Sequence, residues 1–453
     1  MSSSSTSSSP RQLHLNAFLM EAGHHEAAWR LPESNPRAGL DVAHYIELAR
    51  IAEAAKFDSI FFADGVAAQG SGAFRVPGQL EPLTLLTAVA GATERIGLIA
   101  TASTTYNEPY ALARRFATVD HVSGGRAGWN IVTSASEAEA ANFSLAERPL
   151  QATRYDRADE FVQVAKKLWD SWSDEVYLGD KEHGRWGDPS GLRPINHRGT
   201  YFQVDGALNV PRPPQGYPLL VQAGASATGK AFAARYAEAI FVAHQTLAEA
   251  QAFYAEIKRL AADAGRDPDT VLVLPGIVPI IGATEKEAAA LAAQLDDLRV
   301  PEFGLQILAH VLEADPSELV LDQGLPPSVT QRTHREGFDS RSRLVIDLAQ
   351  REQLTVRQIL ARLGGGRGHH VVVGTPAQIA DTIETWFTTG AADGFNIMGA
   401  ALPSGLVTFA ETVVPILQQR ELFRTEYTGT TLRDHYGLAK PANQFEVKEV
   451  AGV

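Results

Sequence analysis

Short apolar runs recur along the chain, and segments of helical periodicity lie between them. Apolar runs at 13–20, 57–64, 96–100, 129–133, 218–223, 238–243, 271–281 and 394–398 have strand length and end on Gly, Pro or polar residues. The intervening segments repeat apolar residues at three-and-four spacing. In 41–56, for example, Val42, Tyr45, Ile46, Leu48, Ala49 and Ala52 favour one side. Further helices are expected over 81–93, 109–122, 154–172, 285–298 and after Thr375, which can cap with Pro376 in the first position. Strand, helix and parallel crossover, repeated eight times, predict an α/β fold: one (β/α)8 TIM barrel with its chemistry at the C-terminal strand ends. Two stretches interrupt the repeat. The Gly/Pro-rich segment 173–217 reads as an inserted hairpin with β-type pieces at 199–204 and 208–210, and 285–368 as a helical insertion or lid. Gly364-Gly-Gly-Arg-Gly-His-His370 reads as a flexible hinge. The organisation expected is a disordered tail at 1–10, the barrel over 11–425 and a C-terminal extension over 426–453.

The fourth strand carries the most concentrated motif, Ser123-Gly-Gly-Arg-Ala-Gly-Trp-Asn-Ile-Val-Thr-Ser134. A Gly-Gly turn ends a helix, and a β-type run closes on Asn130, Thr133 and Ser134. These residues suit the reactive face of a barrel, and equally a well-turned buried strand. Asp64 ends the apolar run Ile60-Phe-Phe-Ala63, where a carboxylate needs hydrogen-bond donors or serves as a helix N-cap. Strand three closes on the hydroxyl-rich Thr101-Ala-Ser-Thr-Thr105. Gly224-Ala-Ser-Ala-Thr-Gly-Lys230, between a strand and a helix, offers backbone N–H groups to a phosphate, or simply a Ser226 cap; its spacing is not that of a Walker A loop. His24 and His25 are adjacent with no third ligand nearby, so substrate contact or proton transfer fits them better than a metal, and no metal is expected.

Bulk properties narrow the partners. The 453 residues carry a formal net charge of −13, without the basic stripe a nucleic-acid surface needs. With no cysteine, disulfides, thiolate metal sites and cysteine nucleophiles are excluded. No apolar run approaches the roughly 20 residues of a membrane span, and residues 1–10 lack the apolar core of a secretory signal, so a cytoplasmic enzyme is expected.

Several segments taken together resemble the bacterial luciferase-like flavin monooxygenases, in the branch of nitrilotriacetate monooxygenase component A. They are the Gly-Gly-Arg…Trp-Asn-Ile-Val-Thr-Ser motif, Arg154-Tyr-Asp-Arg-Ala-Asp-Glu-Phe161, Gln222-Ala-Gly-Ala-Ser226 and Phe423-Arg-Thr-Glu-Tyr-Thr-Gly-Thr-Thr-Leu-Arg-Asp434. The resemblance implies an FMN site with Asp64 and Thr101 near the ring, Asn130, Thr133 and Ser134 along the pocket, and Tyr155, Gly224, Ala225 and Ser226 around the phosphate. Gln151 stands where the family often has a histidine, and Ala225 where relatives often carry a second serine. Gln151 can still hydrogen-bond the cofactor but cannot change charge. The resemblance further implies a two-component system. A separate NAD(P)H:flavin reductase supplies reduced FMN, O2 is the co-substrate, and a flavin peroxide oxidises a small N- or S-containing compound. A homodimer or homotetramer is expected. Phe18, His24, Phe241 and His310 are the substrate-pocket candidates, with His24 or His310 able to hydrogen-bond the peroxide or move a proton, although His310 equally suits a structural place on its helix. A deazaflavin-dependent hydride-transfer enzyme and a flavin-free, non-enzymatic barrel are the alternatives. The family handles aminopolycarboxylates, sulfones, thioethers and alkanes, so the motifs do not report the substrate.

Overall fold

Eight parallel strands close on themselves. In the computed structural model, which describes residues 11–68, 72–74, 78–331, 340–363, 365–366 and 368–445, these strands lie where the apolar runs place them. They are β1 (His14–Phe18), β2 (Ser59–Phe62), β3 (Gly97–Ser103), β4 (Ala127–Val132), β5 (Leu219–Ala223), β6 (Ala239–Val242), β7 (Leu272–Ile281) and β8 (Gly394–Ile397). Each of the eight pairs with its sequence neighbour, β7 with both β6 and β8, and β8 closes onto β1 through His14↔Gly394. The end of the ten-residue β7 also pairs with an extra strand, His370–Gly374. The expected tail at 1–10, Gly364 and Arg367 of the hinge, 332–339 of the insertion and 446–453 of the extension lie outside the described residues.

Alternation along each strand sorts the core into two layers. Leu15, Ile60, Phe62, Leu98, Ala100, Trp129, Ile131, Phe395 and Ile397 pack outward against the helices. Phe18, Phe61, Ile99, Val221, Leu274, Val278 and Met398 fill the barrel. The helix Pro109–Ser123 ends as the Gly-Gly turn requires, with Gly124 at φ +69° and Gly125 at +93°. Arg126 of the same motif is buried, and its guanidinium donates to the carbonyls of Ala90, Thr93, Ile96 and Ser123. The first half of the motif therefore fixes the lower end of the barrel, and only its second half reaches the mouth.

The lower end is closed by the C-terminal segment. The short helix Leu432–His435, capped by Thr431 and Asp434, pushes Leu432 against Gly97 and Gly128, where a Cβ on Gly97 would collide with it. Arg433 clamps Glu238 at 2.6 and 2.9 Å. Asp58 is fully buried; burial alone would raise its pKa, but Arg424 (2.6 Å) and His14 (2.9 Å) hold the carboxyl below its ordinary range. The Phe423–Asp434 motif is thus a structural plug opposite the reactive face.

The two interruptions differ. Segment 173–217 forms two small hairpins, Tyr177–Asp180 with Arg185–Gly187 and His197–Arg198 with Gln203–Val204. The expected strand at 208–210 does not form. The Leu208 N–H binds Ser171 Oγ and its carbonyl accepts from Trp172 Nε1, which spends both groups on side chains instead of a strand partner. The second segment is helical: Glu285–Asp297, Pro301–Leu312, Ser340–Glu352 and Val356–Leu363 lead back to the barrel, and the last three share a core through Leu308, Leu312, Ile346 and Ile359.

Candidate active site

At the upper strand ends the inward positions turn polar. Thr101 on β3 and Asn130 on β4 are register partners, both buried. Asn130 Nδ2 donates to Thr101 Oγ1 at 2.8 Å, while Asn130 Oδ1 has no hydrogen-bond partner among the described residues. An unsatisfied end remains whichever way the amide is turned, and leaving it so costs roughly 1–3 kcal/mol. The hydroxyls beyond them stitch the rim together. Ser134 Oγ donates to Ser103 Oγ at 2.8 Å and Thr105 Oγ1 to the Thr133 carbonyl at 2.6 Å. Ser134 holds φ +38°, which these bonds help to sustain.

Asp64 lies half-buried just past β2 and accepts the Gly65 N–H at 2.9 Å. It caps no described helix: Glu81 caps Pro82–Ala90 by accepting from Leu83 and Thr84. Burial pushes Asp64 up to about 6; the Gly65 N–H opposes this, and the nearby Glu81 and Glu139 add to it. A donor from a ligand would reverse that penalty.

The turn after β5 leads into the helix Ala227–Tyr236, whose first turn holds no acidic residue. Ser226 caps it by accepting the Gly229 N–H at 3.1 Å, which leaves the serine proton to give. A Cβ on Gly229 would sit 3.0 Å from Tyr155 Oη and 3.1 Å from Ser226 Oγ, so the glycine opens the space where the two hydroxyls meet. Tyr155 comes from Gln151–Trp169, a helix that starts without a side-chain cap and, like the other, without an acidic first turn, with Gln151 as its first residue. The start of Ala227–Tyr236, with N–H groups beyond the one Ser226 takes, and the two hydroxyls make an anion cradle. Ala225 is exposed beside it. Gly224 serves differently from expectation: a Cβ there would meet Gln222 Nε2 at 2.5 Å, so its smallness accommodates a buried side chain. Lys230 is bound to Glu256 at 2.5 Å and Arg157 packs on Phe202 at 4.4 Å, so both cations serve structure.

Across the mouth the floor is aromatic. Phe18 stands 4.7 Å from Phe61 and 5.3 Å from Phe241, ring centre to ring centre, with His24 edge-on to Phe18 at 4.6 Å. Because the Phe18 carbonyl can only accept, the 2.9 Å contact fixes the His24 proton on Nε2. His25 diverges toward Asp296 at 3.5 Å. Gly23, at φ +134°, lets this loop lie against Ala400, and the His24 and His25 N–H groups donate to Gly399 and Ala400. His310 does not join the group: it is exposed on Pro301–Leu312, whose buried side packs into the insertion's own core. His244, past β6, is kept neutral by burial, which pushes it down to about 4.

Three residues of this region are absent from the sequence reading. Gly229 lies inside the Gly224–Lys230 turn, where the sequence marks only Gly224, Ala225 and Ser226 as phosphate contacts. Phe61 was read only as part of a strand. His369, read as hinge, is buried on Phe241; the sequence signal that could find it is Gly276, a glycine inside a long apolar strand.

The site fits a flavin mononucleotide. Its phosphate matches the cradle of Tyr155, Ser226 and Gly229, and its ring N–H and ribityl hydroxyl groups match the unfilled Asn130 Oδ1 and the raised Asp64 carboxyl. Comparison with known proteins gives the family. The family described as luciferase-like monooxygenase matches residues 21–393. N-acetyl-S-(2-succino)cysteine monooxygenase of Bacillus subtilis (strain 168) is 47% identical, covering 97% of this chain and 99% of the relative. Nitrilotriacetate monooxygenase component A of Aminobacter aminovorans is 47% identical over 96% and 98% of the two chains. The crystal structure of riboflavin lyase with modified FMN and riboflavin superposes with a TM-score of 0.84 at 29% identity, covering 95% and 96%.

Proposed function

The chain belongs to the luciferase-like monooxygenase family, and from that premise we propose that it is the oxygenase of a two-component system. It takes reduced FMN from a separate NAD(P)H:flavin reductase and uses O2 to oxidise a small, carboxylate-bearing compound at nitrogen or sulfur. Support for the carboxylates comes from the substrates named for the two relatives at 47% identity, one a thioether and one an amine, each carrying several acid groups. Dependence on NAD(P)H made in the cytoplasm suits a cytoplasmic setting. A groove on the outer face of Val42–Ala54, lined by Ala43, Ile46, Ile51 and Ala54 together with the charged Glu47 and Arg50, is the surface offered for self-association as a homodimer or homotetramer.

The observation that carries the reading is the unfilled Asn130 Oδ1 at the reactive end of the same barrel that builds the phosphate cradle. When bound, reduced FMN supplies the two electrons that send one oxygen of O2 into the product and the other into water. The chain's residues hold, orient and dry the site. Tyr155, Ser226 and the Gly229 turn hold the phosphate; Thr101 orients the Asn130 amide toward the ring's donors; Asp64 accepts from ring or ribityl groups. Phe18, Phe61 and Phe241 exclude water from the reacting face. His24 keeps its proton on Nε2, toward the Phe18 carbonyl, and packs edge-on against the Phe18 ring.

Anaerobic titration with reduced FMN and, separately, with a reduced deazaflavin tests the reading. Saturable binding of reduced FMN, followed on admitting O2 by oxidation of nitrilotriacetate or another amino- or thioether-carboxylate, is expected. Binding and hydride transfer with the deazaflavin alone would contradict it.

A further inference from the structure

One charged side chain is buried beside the mouth without a counter-charge. Arg154 lies in the first turn of Gln151–Trp169, whose start no side chain caps, and is 7% exposed. Its Nη1 donates to the Pro149 carbonyl at 2.6 Å, and its buried Nε has no hydrogen-bond partner among the described residues. No described carboxylate pairs with it: Glu137 and Glu313 go to Arg148 instead, at 3.5 and 3.8 Å. Burial pushes the Arg154 pKa down, and the like charge of Arg148 adds to that. A buried cation in this state is costly until an anion joins it. The second orphan is the Tyr106 hydroxyl, three residues past β3, buried and likewise without a partner among the described residues. Its ring is held by stacking on Phe143 at 4.5 Å and 13°. Burial raises the Tyr106 phenol, Glu139 adds to the rise, and the Arg154 charge opposes it, so the two groups lie in one field.

Resting on the reading above, we propose that Arg154 and the Tyr106 hydroxyl form an anion subsite that takes a carboxylate of the substrate. The position favours the substrate over the flavin phosphate. Tyr155, the next residue, packs its ring on Phe232 at 5.7 Å and so turns toward the cradle of Ser226 and Gly229. One step along a helix is roughly 100° of rotation. Arg154 accordingly meets the loops after β4 and β3, through the Pro149 carbonyl and Tyr106. Those are the strands that carry Asn130 and Thr101. A phosphate held in the cradle leaves Arg154 for a second anion. A planar guanidinium with a hydroxyl in its field matches the two oxygens of a carboxylate.

Anaerobic calorimetric titration of the full chain, with reduced FMN already bound, tests this. The probes are nitrilotriacetate and N-acetyl-S-(2-succino)cysteine, and without O2 neither is turned over. Arg154→Met keeps an unbranched side chain without the charge. It should weaken binding of the probe that wild type holds by about tenfold or more, the loss of a charge-assisted pair. Arg154→Lys keeps the charge without the planar fork and should recover part of that loss. Tyr106→Phe keeps the stacked ring and removes only the hydroxyl, so a smaller loss is expected. A merely structural Arg154 predicts the reverse, a lower melting temperature with probe affinity intact. Unchanged probe affinity in a folded Arg154→Met overturns the proposal, and if that variant does not fold, unchanged affinity in Tyr106→Phe does so. A loss of reduced-FMN affinity as large as the loss of probe affinity gives Arg154 to the flavin phosphate and overturns it too. A wild type that binds reduced FMN but neither carboxylate overturns the substrate assignment. One that binds no reduced FMN overturns the monooxygenase reading itself.

Discussion

Asp64→Ala is expected to lower reduced-FMN affinity by roughly tenfold to a hundredfold, the loss of one charge-assisted hydrogen bond of about 1.5–3 kcal/mol. With the ring misplaced, oxygen consumption should continue while its electrons appear as H2O2 instead of product. Asp64→Asn keeps the shape and one acceptor, so its loss should be smaller. The competing role for this residue, a helix cap, requires a drop of about 1 kcal/mol in stability with coupling intact. The structure gives that role to Glu81, while Asp64 accepts from the Gly65 N–H and from the Gln79 side chain. The sign of its pKa shift separates the two further. A carboxyl raised to about 6 contributes stability that is complete below its ordinary pKa near 3.8 and lost as pH rises through 6. Flavin-free Asp64→Asn, which cannot ionise, should therefore melt higher than wild type at pH 7 and match it near pH 4. A lower melting temperature at pH 7 together with unchanged H2O2 yield would remove Asp64 from the site.

Gly229→Val is expected to weaken FMN binding by more than an order of magnitude. The new side chain enters where Tyr155 Oη and Ser226 Oγ meet, and a phosphate there would lose charge-assisted bonds from both. Gly224→Val presses on the buried Gln222 amide instead, so it should cost more in stability than in flavin affinity. Ser226→Ala removes a cap worth about 1 kcal/mol as well as a donor, and should fall between the two. Fluorescence titration of FMN against each variant, with circular dichroism as the control for folding, orders them. Tight FMN binding by Gly229→Val would reduce the turn to a helix start.

Most of the barrel is legible in the chain because its strands are short, apolar and sharply bounded. Local pattern sufficed for β7, ten residues long, and for β8, four. The plug under the barrel could not be read that way. Leu432 meets Gly97 and Gly128 across more than three hundred residues, and only the two strand glycines signal the approach. At the mouth, residue type was readable and partnership was not. Asn130 and Thr101 were expected near a ligand, and their mutual bond follows from strand register. Ser134 and Thr133 have the right chemistry, yet Ser134's proton and Thr133's carbonyl are taken up in holding the rim. Ser226 fills both readings open to it, because a hydroxyl can accept as a cap and still donate. The sequence puts His310 on a helix and His369 in a glycine-rich hinge, and neither place reports its distance from the mouth. The packing of the insertion decides that His369 reaches the aromatic floor while His310 stays exposed.

The most direct test of the central claim is oxygen bookkeeping under 18O2. With the oxygenase, a flavin reductase, NADH, FMN and an amino- or thioether-carboxylate that wild type consumes, mass spectrometry should find one 18O atom in the oxidised product or its immediate breakdown product. Omission of FMN or the reductase should abolish that label. Product formed without 18O, or formed at full rate with no reduced FMN present, would contradict the account.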